Sequence, residues 1–440
     1  MVGHLMTACV GLALGPILIN ANQWVSLGRL PNSFVALGDS FSAGIGSGEF
    51  LKSSRDRKDY TCGRQDGAYP WWLTTIVPRA FNDGHVVQLN DFVSCSGAVM
   101  KDIDGQLKSL TDTFEVATLS ITGNDYGFGE VVKKCVYASY AQTGFVGESA
   151  ASLACDMAIR SAQTKLGGWN VWNEANVRAT IRSVANRALA PGGILFVTGY
   201  PAFFAPAFAN DVCDDKTFFP SDWFTPLKLR FKIRNDINGA IASANRILAQ
   251  AVAEVNREDR NGRIEFVDPD ASPSSWDTHR FCELSRGDDP RGATNEDVWF
   301  NAIDSNLEER NSGWPTPRDG NDLRRAVAER QPNNETAPKL QERDTEAWPD
   351  ATIALVQASA FHPKRLGNRQ IAYNLRYLIA TLFKPGNLVS GGNDGCRWSG
   401  QQADCYHVPA GCVVLQQDEG VLQAICKDGT RDVEPAGSFD

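Results

Sequence analysis

The chain has 440 residues, of which 42% are hydrophobic and 22% charged, and a formal net charge of -9. That composition suits a globular protein with a sizeable core, one large domain and room for an appendage. The acidic balance, with no run rich in Lys or Arg, argues against a nucleic-acid partner.

From the N-terminus, residues 1–21 carry no Lys, Arg, Asp or Glu, and 5–19 are almost continuously apolar. The run is shorter than a membrane span needs and reads as a secretory signal peptide, with a buried N-terminal helix as the competing reading. No later run is as hydrophobic, so no transmembrane span is expected. Of eleven cysteines, Cys9 falls in this leader, which leaves Cys62, Cys95, Cys135, Cys155, Cys213, Cys282, Cys396, Cys405, Cys412 and Cys426. Ten is an even number, and no Cys-x-x-Cys pair occurs, so the pattern favours the disulfides of an exported protein. His407, between Cys405 and Cys412, keeps a metal reading open there. Asn334 opens the sequon Asn334-Glu335-Thr336 and is a glycosylation candidate for a surface loop.

Five short runs rich in apolar and β-branched residues follow, at 34–37, 86–92, 116–121, 194–198 and 264–267. Helical patterns lie between them. In 230–256, Ile233, Ile237, Ile241, Ala244, Leu248, Ala251, Val252 and Val255 recur at three- and four-residue steps and share one face. Strands that alternate with helices imply parallel pairing through right-handed crossovers, so the expected fold is a three-layer α/β/α sandwich around a five-stranded parallel sheet. A domain over 30–385 holds it.

Residues 200–226 are rich in aromatics, among them Tyr200, Phe203, Phe204, Phe208, Phe218 and Trp223, and are expected to overhang the cleft. The polar stretch 285–350 reads as a long excursion with partial helix around 321–331, and no chemistry is assigned to it. A helix over 367–383 ends at Lys384-Pro385-Gly386. The remaining 394–440 form a small module that Cys396, Cys405, Cys412 and Cys426 can staple with two disulfides, in any of three connectivities.

Chemistry is carried by Gly38-Asp39-Ser40, directly after the first strand run. A helix starting there would aim free backbone N–H groups and its positive end at the serine oxygen. In open α/β sheets ligands bind outside the carboxyl ends of the strands. Gly97, in Ser94-Cys95-Ser96-Gly97-Ala98, follows the second strand run, and Asn124, in Gly123-Asn124-Asp125, follows the third, so both fall on the same rim as Ser40.

With Phe361-His362-Pro363 near the end of the catalytic region, these four blocks resemble the SGNH (GDSL-type) hydrolase superfamily over about residues 33–383. The resemblance implies Ser40 as nucleophile, His362 as general base, and an oxyanion hole built from the N–H groups of Ser40 and Gly97 and the side-chain amide of Asn124. Such chemistry needs those residue types. A serine hydroxyl is a poor nucleophile until an imidazole takes its proton, and an amide donates hydrogen bonds without titrating. It requires no cofactor and no metal. The resemblance also suggests disulfides Cys62–Cys95, Cys135–Cys155 and Cys213–Cys282, the first bracing the loop of Gly97.

One position departs from the superfamily pattern. Many members carry an aspartate three residues before the histidine, where this chain has Ser359. A Ser-His dyad with a main-chain carbonyl at the imidazole Nδ1 is the working expectation, and Asp350 is the alternative third member. His279 reads as structural or cleft-lining, and His85 and His407 as surface or turn residues. Asp39 and Asp125 read as turn-stabilising rather than as a catalytic pair.

The expectation is a secreted serine ester hydrolase acting on carboxylic esters. Lipid acyl esters are favoured by the aromatic stretch, and acetylated or acylated carbohydrate is the alternative. A non-catalytic binding protein on the same scaffold, and acyl transfer to an acceptor other than water, are the rival functions. The oligomeric state is open.

Overall fold

The structure is a computed structural model. It describes residues 31–51, 62–80, 88–135, 148–167, 171–206, 213–216, 227–259, 264–270, 276–283, 297–301, 360–383, 388–390, 394–399, 402–407, 412–415, 423–426 and 429–432. Residues 1–21, the segment around 321–331, His85, Asn334 and Asp350 lie outside them.

Strands β1 (Ser33–Gly38), β2 (Gln88–Phe92), β3 (Phe114–Ser120), β4 (Leu189–Thr198) and β5 (Ile264–Val267) form one parallel sheet in the order β2-β1-β3-β4-β5. Each coincides with one of the five apolar runs. For the interior strands the reason is burial on both faces: Phe34, Val35, Ala36 and Leu37 of β1 are all inaccessible to solvent, so this strand reads as unbroken hydrocarbon rather than as an alternation. Full burial of a side chain of Val, Leu or Phe size contributes roughly 1.5–3 kcal/mol each, enough to fix which residues take the centre.

Helices cover both faces. The chain runs from β1 outward to β2, then back across β1 to β3, and right-handed crossovers in opposite directions put their helices on opposite faces. On one side α2 (Tyr69–Ala80) packs on α8 (Arg365–Phe383). On the other, α3 (Ile103–Lys108) meets α6 (Val171–Ala188), α6 meets α7 (Phe231–Asp259), and α7 meets α5 (Glu148–Gly167), which packs on α4 (Phe128–Cys135). The periodic face of α7 is the buried one, with Ile233, Ile237, Leu248, Ala251 and Val255 in the core. Its polar face pairs Glu254 with Arg178 and Glu258 with Arg182 of α6.

The reversal of strand order falls between β1 and β3, where the crossovers leave in opposite directions and a crevice opens at the carboxyl ends. Disulfides Cys62–Cys95, Cys135–Cys155 and Cys213–Cys282 are all formed. The second ties α4 to α5.

Beyond α8 the described residues are all in antiparallel strands. β9 (Cys412–Leu415) pairs with β6 (Leu388–Ser390) and β10 (Gln423–Cys426), which in turn pairs with β11 (Gly429–Asp432), while β7 (Asp394–Ser399) and β8 (Gln402–His407) make a separate hairpin.

Two expectations change. The helix after Gly38-Asp39 is a single turn, α1 (Ser40–Ala43), because Gly44 takes a left-handed conformation (φ 75°) and ends it. So short a helix has little macrodipole, and local N–H groups are what remain at Ser40. The second change concerns the aromatic stretch: Tyr200, Phe203 and Phe204 are buried in the core at 5%, 1% and 0% exposure rather than overhanging it. Phe208, Phe218 and Trp223 lie outside the described residues.

Candidate active site

Ser40 stands at the carboxyl end of β1 because of what precedes it. Gly38 has φ +127°, and a Cβ there would lie 2.1 Å from the carbonyl oxygen of Ser120 on β3, so only glycine lets the chain turn this close to its neighbour. Gln106 of α3, itself buried, clamps the same residue from the other side: Gly38 N–H donates to its Oε1 and its Nε2 donates to Gly38 O, both at 2.8 Å.

Asp39 is the N-cap of α1. Its Oδ1 accepts from Phe41 N–H and from the Ser120 hydroxyl, each at 3.0 Å, and its Oδ2 accepts from the Tyr200 hydroxyl at 2.7 Å. Burial raises its pKa to about 6, against the lowering effect of those three hydrogen bonds. Asp125 likewise serves a turn, its two oxygens accepting from Met100 N–H at 3.2 Å. Burial pushes its pKa up as well.

His362 reaches the site from the far end of the domain. Its Nε2 lies 2.7 Å from Ser40 Oγ, and its Nδ1 lies 3.1 Å from the carbonyl oxygen of Ala360. The imidazole is 5% exposed, between the rings of Phe41 (4.8 Å) and Phe128 (6.1 Å). Phe361, just before it, has φ +64°, a conformation unfavourable for an aromatic residue and held by neighbours. Asn301 does the holding: Phe361 N–H donates to its carbonyl and its own N–H donates to His362 O, both at 2.9 Å. Its side-chain amide donates to His362 O and to Gly46 O, each at 3.1 Å, so it joins the histidine turn to the loop after Ser40.

Asn124 sits in a tight loop where Tyr126 N–H donates to Thr122 O, Gly127 N–H to Asn124 O, and Phe128 N–H to Gly123 O. One proton of its amide goes to Ala98 O at 2.9 Å, which ties this loop to that of Gly97. Gly97 is exposed with φ +82° and lies in the loop braced by Cys62–Cys95, where Ser96 N–H donates to Cys62 O at 2.9 Å. Among the described residues the N–H groups of Ser40 and Gly97 have no protein acceptor.

Ser40, Gly123 and Asn124 line a narrow cavity of about 60 Å³ between α4, α5 and α7. Phe128, Val131, Ile159, Leu166 and Ile241 contribute hydrocarbon walls, and Ala162, Ala240 and Ala244 leave the space that larger side chains would fill. The arrangement can pass a proton from a serine hydroxyl to an imidazole, offer N–H groups to a developing oxyanion, and hold an apolar group alongside.

Sequence patterns thus located Ser40, Gly97, Asn124 and His362, which the fold brings to one rim. They missed Gln106, Asn301 and Tyr200. Asn301 falls in the polar stretch 285–350, where a single polar residue carries no periodic signal. His279 is a structural residue: its Nδ1 lies 2.7 Å from Asp297 O and its ring stacks on Trp299 at 3.6 Å.

No protein-family model matches the chain. It is 37% identical over 110 residues to Lipase 1 of Streptomyces coelicolor, which covers 24% of this chain and 36% of that protein. It is 29% identical over 192 residues to a lipase of Streptomyces rimosus, covering 42% and 59%. The chain therefore matches less than two thirds of the length of either relative. Among solved structures, an extracellular lipase from Streptomyces rimosus aligns with 64% of this chain and 92% of its own, at 23% identity and a TM-score of 0.43. The chain is thus similar in sequence to Streptomyces lipases, and its serine, asparagine and histidine blocks lie at the edge of a parallel α/β/α sheet.

Proposed function

We propose that the chain is a secreted serine hydrolase that cleaves lipid acyl esters through an acyl-enzyme. The observation that carries this reading is the 2.7 Å contact between Ser40 Oγ and His362 Nε2, beside an apolar cavity that Ser40 lines.

In this reading Ser40 attacks the ester carbonyl while its proton passes to His362 Nε2. The Ala360 carbonyl accepts from Nδ1–H, which selects the tautomer with Nε2 free to take that proton. The carbonyl oxygen becomes an oxyanion that accepts from Ser40 N–H, Gly97 N–H and the second proton of the Asn124 amide. One such donor is worth about 2.7–4 kcal/mol of barrier. Collapse breaks the bond to the alcohol, which leaves with the imidazolium proton. Water, deprotonated by the same imidazole, then releases the acid and restores Ser40.

The cavity favours a lipid acyl group over an acetylated sugar. Away from Asp39, Ser40, Asn124 and the hydroxyls of Tyr126 and Tyr200, its lining is hydrocarbon and backbone. A sugar ring there would lose hydration without finding partners. The disulfides and the apolar leader at 1–21 support export, and no helix among the described residues is long and apolar enough to cross a membrane. The strand-rich 394–440 is read as a separate module, and Asn334 as a glycosylated surface position.

Titrating fatty acid released from micellar lipid, beside acetate released from acetylated xylan, tests the proposal. Fatty acid release that disappears in Ser40→Ala is expected. Acetate release alone would transfer the site to carbohydrate esters, and neither product would leave a binding protein on a hydrolase scaffold.

A further inference from the structure

Tyr200 stands outside the four blocks, yet its hydroxyl touches two of them. Its main chain is pinned to α7 on both sides: Tyr200 N–H donates to Asn245 Oδ1 and Asn245 Nδ2 donates to Tyr200 O, each at 2.8 Å, and Asn245 is buried. The preceding Gly199 N–H donates to Val267 O of β5 at 2.9 Å. From that anchor the phenol crosses the crevice, its ring edge-on to Phe41 at 4.9 Å.

The hydroxyl then makes two bonds of opposite sense. It donates to Asp39 Oδ2 at 2.7 Å and accepts from Gly123 N–H at 3.0 Å. Asp39 caps the turn that carries Ser40, and Gly123 opens the loop that carries Asn124. One buried oxygen therefore sets the distance between the two. Burial holds the phenol well above its ordinary pKa, so it remains a donor. A Cβ at Gly123 would lie 3.2 Å from this oxygen, which is a tight approach and accounts for glycine there. Thr122, one residue earlier, is buried at φ +101°, a strained conformation for a β-branched residue. The loop is thus held in place rather than relaxed.

We infer that Tyr200 is a positioning residue for oxyanion binding: its hydroxyl holds the Asn124 amide in register with Ser40. The inference rests on the proposed function of Ser40 and Asn124. Phenylalanine keeps the ring and removes both bonds, leaving Gly123 N–H without an acceptor and one Asp39 oxygen without a donor.

The test is a double-mutant cycle on a soluble ester, with melting temperature recorded for each variant. Tyr200→Phe should lower kcat about 10- to 100-fold with KM within about twofold, a smaller loss than the ~10²–10³ of deleting a donor. Combined with Asn124→Ala, it should add less than about twofold, because no amide remains to be placed. An unchanged kcat in Tyr200→Phe, or losses that multiply in the double variant, would overturn the inference. If Tyr200→Phe does not fold, Gly123→Ala displaces the same contact with Tyr200 intact. It should reproduce the kcat loss and the non-additivity, and normal turnover would refute them. A native protein without turnover would instead refute the reading of Ser40 itself.

Discussion

The carbonyl oxygen of Ala360 lies 3.1 Å from Nδ1 of His362, two residues ahead of it in the chain and held there by the strained Phe361. The histidine thereby receives an acceptor from its own turn. A neutral carbonyl fixes the tautomer but supplies less stabilisation to the imidazolium than a carboxylate would. Asp350, the alternative partner, lies outside the described residues. Asp350→Asn should therefore leave kcat within about a few-fold, whereas a fall on the order of 10⁴ would identify it as the third member.

Asp39 gives a pH signature. Burial raises its folded-state pKa to about 6 from 3.8, so the native state binds that proton more tightly than the unfolded chain does. Its contribution to stability is present below the unfolded value and is lost as pH rises through about 6. The difference corresponds to about 3 kcal/mol. Urea unfolding of native protein and Asp39→Asn at about pH 4 and about pH 7 should show the variant gaining relative stability at the higher pH. A pH-independent difference would contradict the buried carboxylate.

The cavity owes its volume to small residues on two helices. Ala240→Phe on α7 should lower kcat/KM for long-chain esters about tenfold or more while acetyl esters change less than about twofold. A matched series of nitrophenyl esters measures both. Equal losses across the series would mean that the acyl chain lies elsewhere.

In the C-terminal strands the backbone register places Cys396 opposite Cys405 and Cys412 opposite Cys426. Directly opposed positions are close enough in backbone to be bridged. Non-reducing peptide mapping should recover those two pairs out of the three connectivities, and any crossed pairing would contradict the register.

Much of this architecture can be read from sequence because burial writes a pattern. β1, β3 and β4 are legible as apolar runs because an interior parallel strand is buried on both faces, and α7 because its core face repeats at helical spacing. Ser40, Gly97, Asn124 and His362 stand out because their short motifs follow strand ends or resemble a known family. The supports of the site are silent by comparison. Gln106, Asn245 and Asn301 act through one or two hydrogen bonds to backbone far away in sequence, and an isolated amide side chain has no period. Tyr200 was visible only as one aromatic among many. The brevity of α1 depends on Gly44 adopting a left-handed conformation, which composition does not announce.

The central claim is that the Ser40 hydroxyl is activated by the His362 imidazole. Reacting the protein with a fluorophosphonate, timing the labelling and locating the adduct by peptide mass tests this most directly. A single adduct on the Ser40 peptide is predicted, forming at least about 10³-fold more slowly in His362→Ala. An adduct on another residue, or an unchanged rate in His362→Ala, would contradict it.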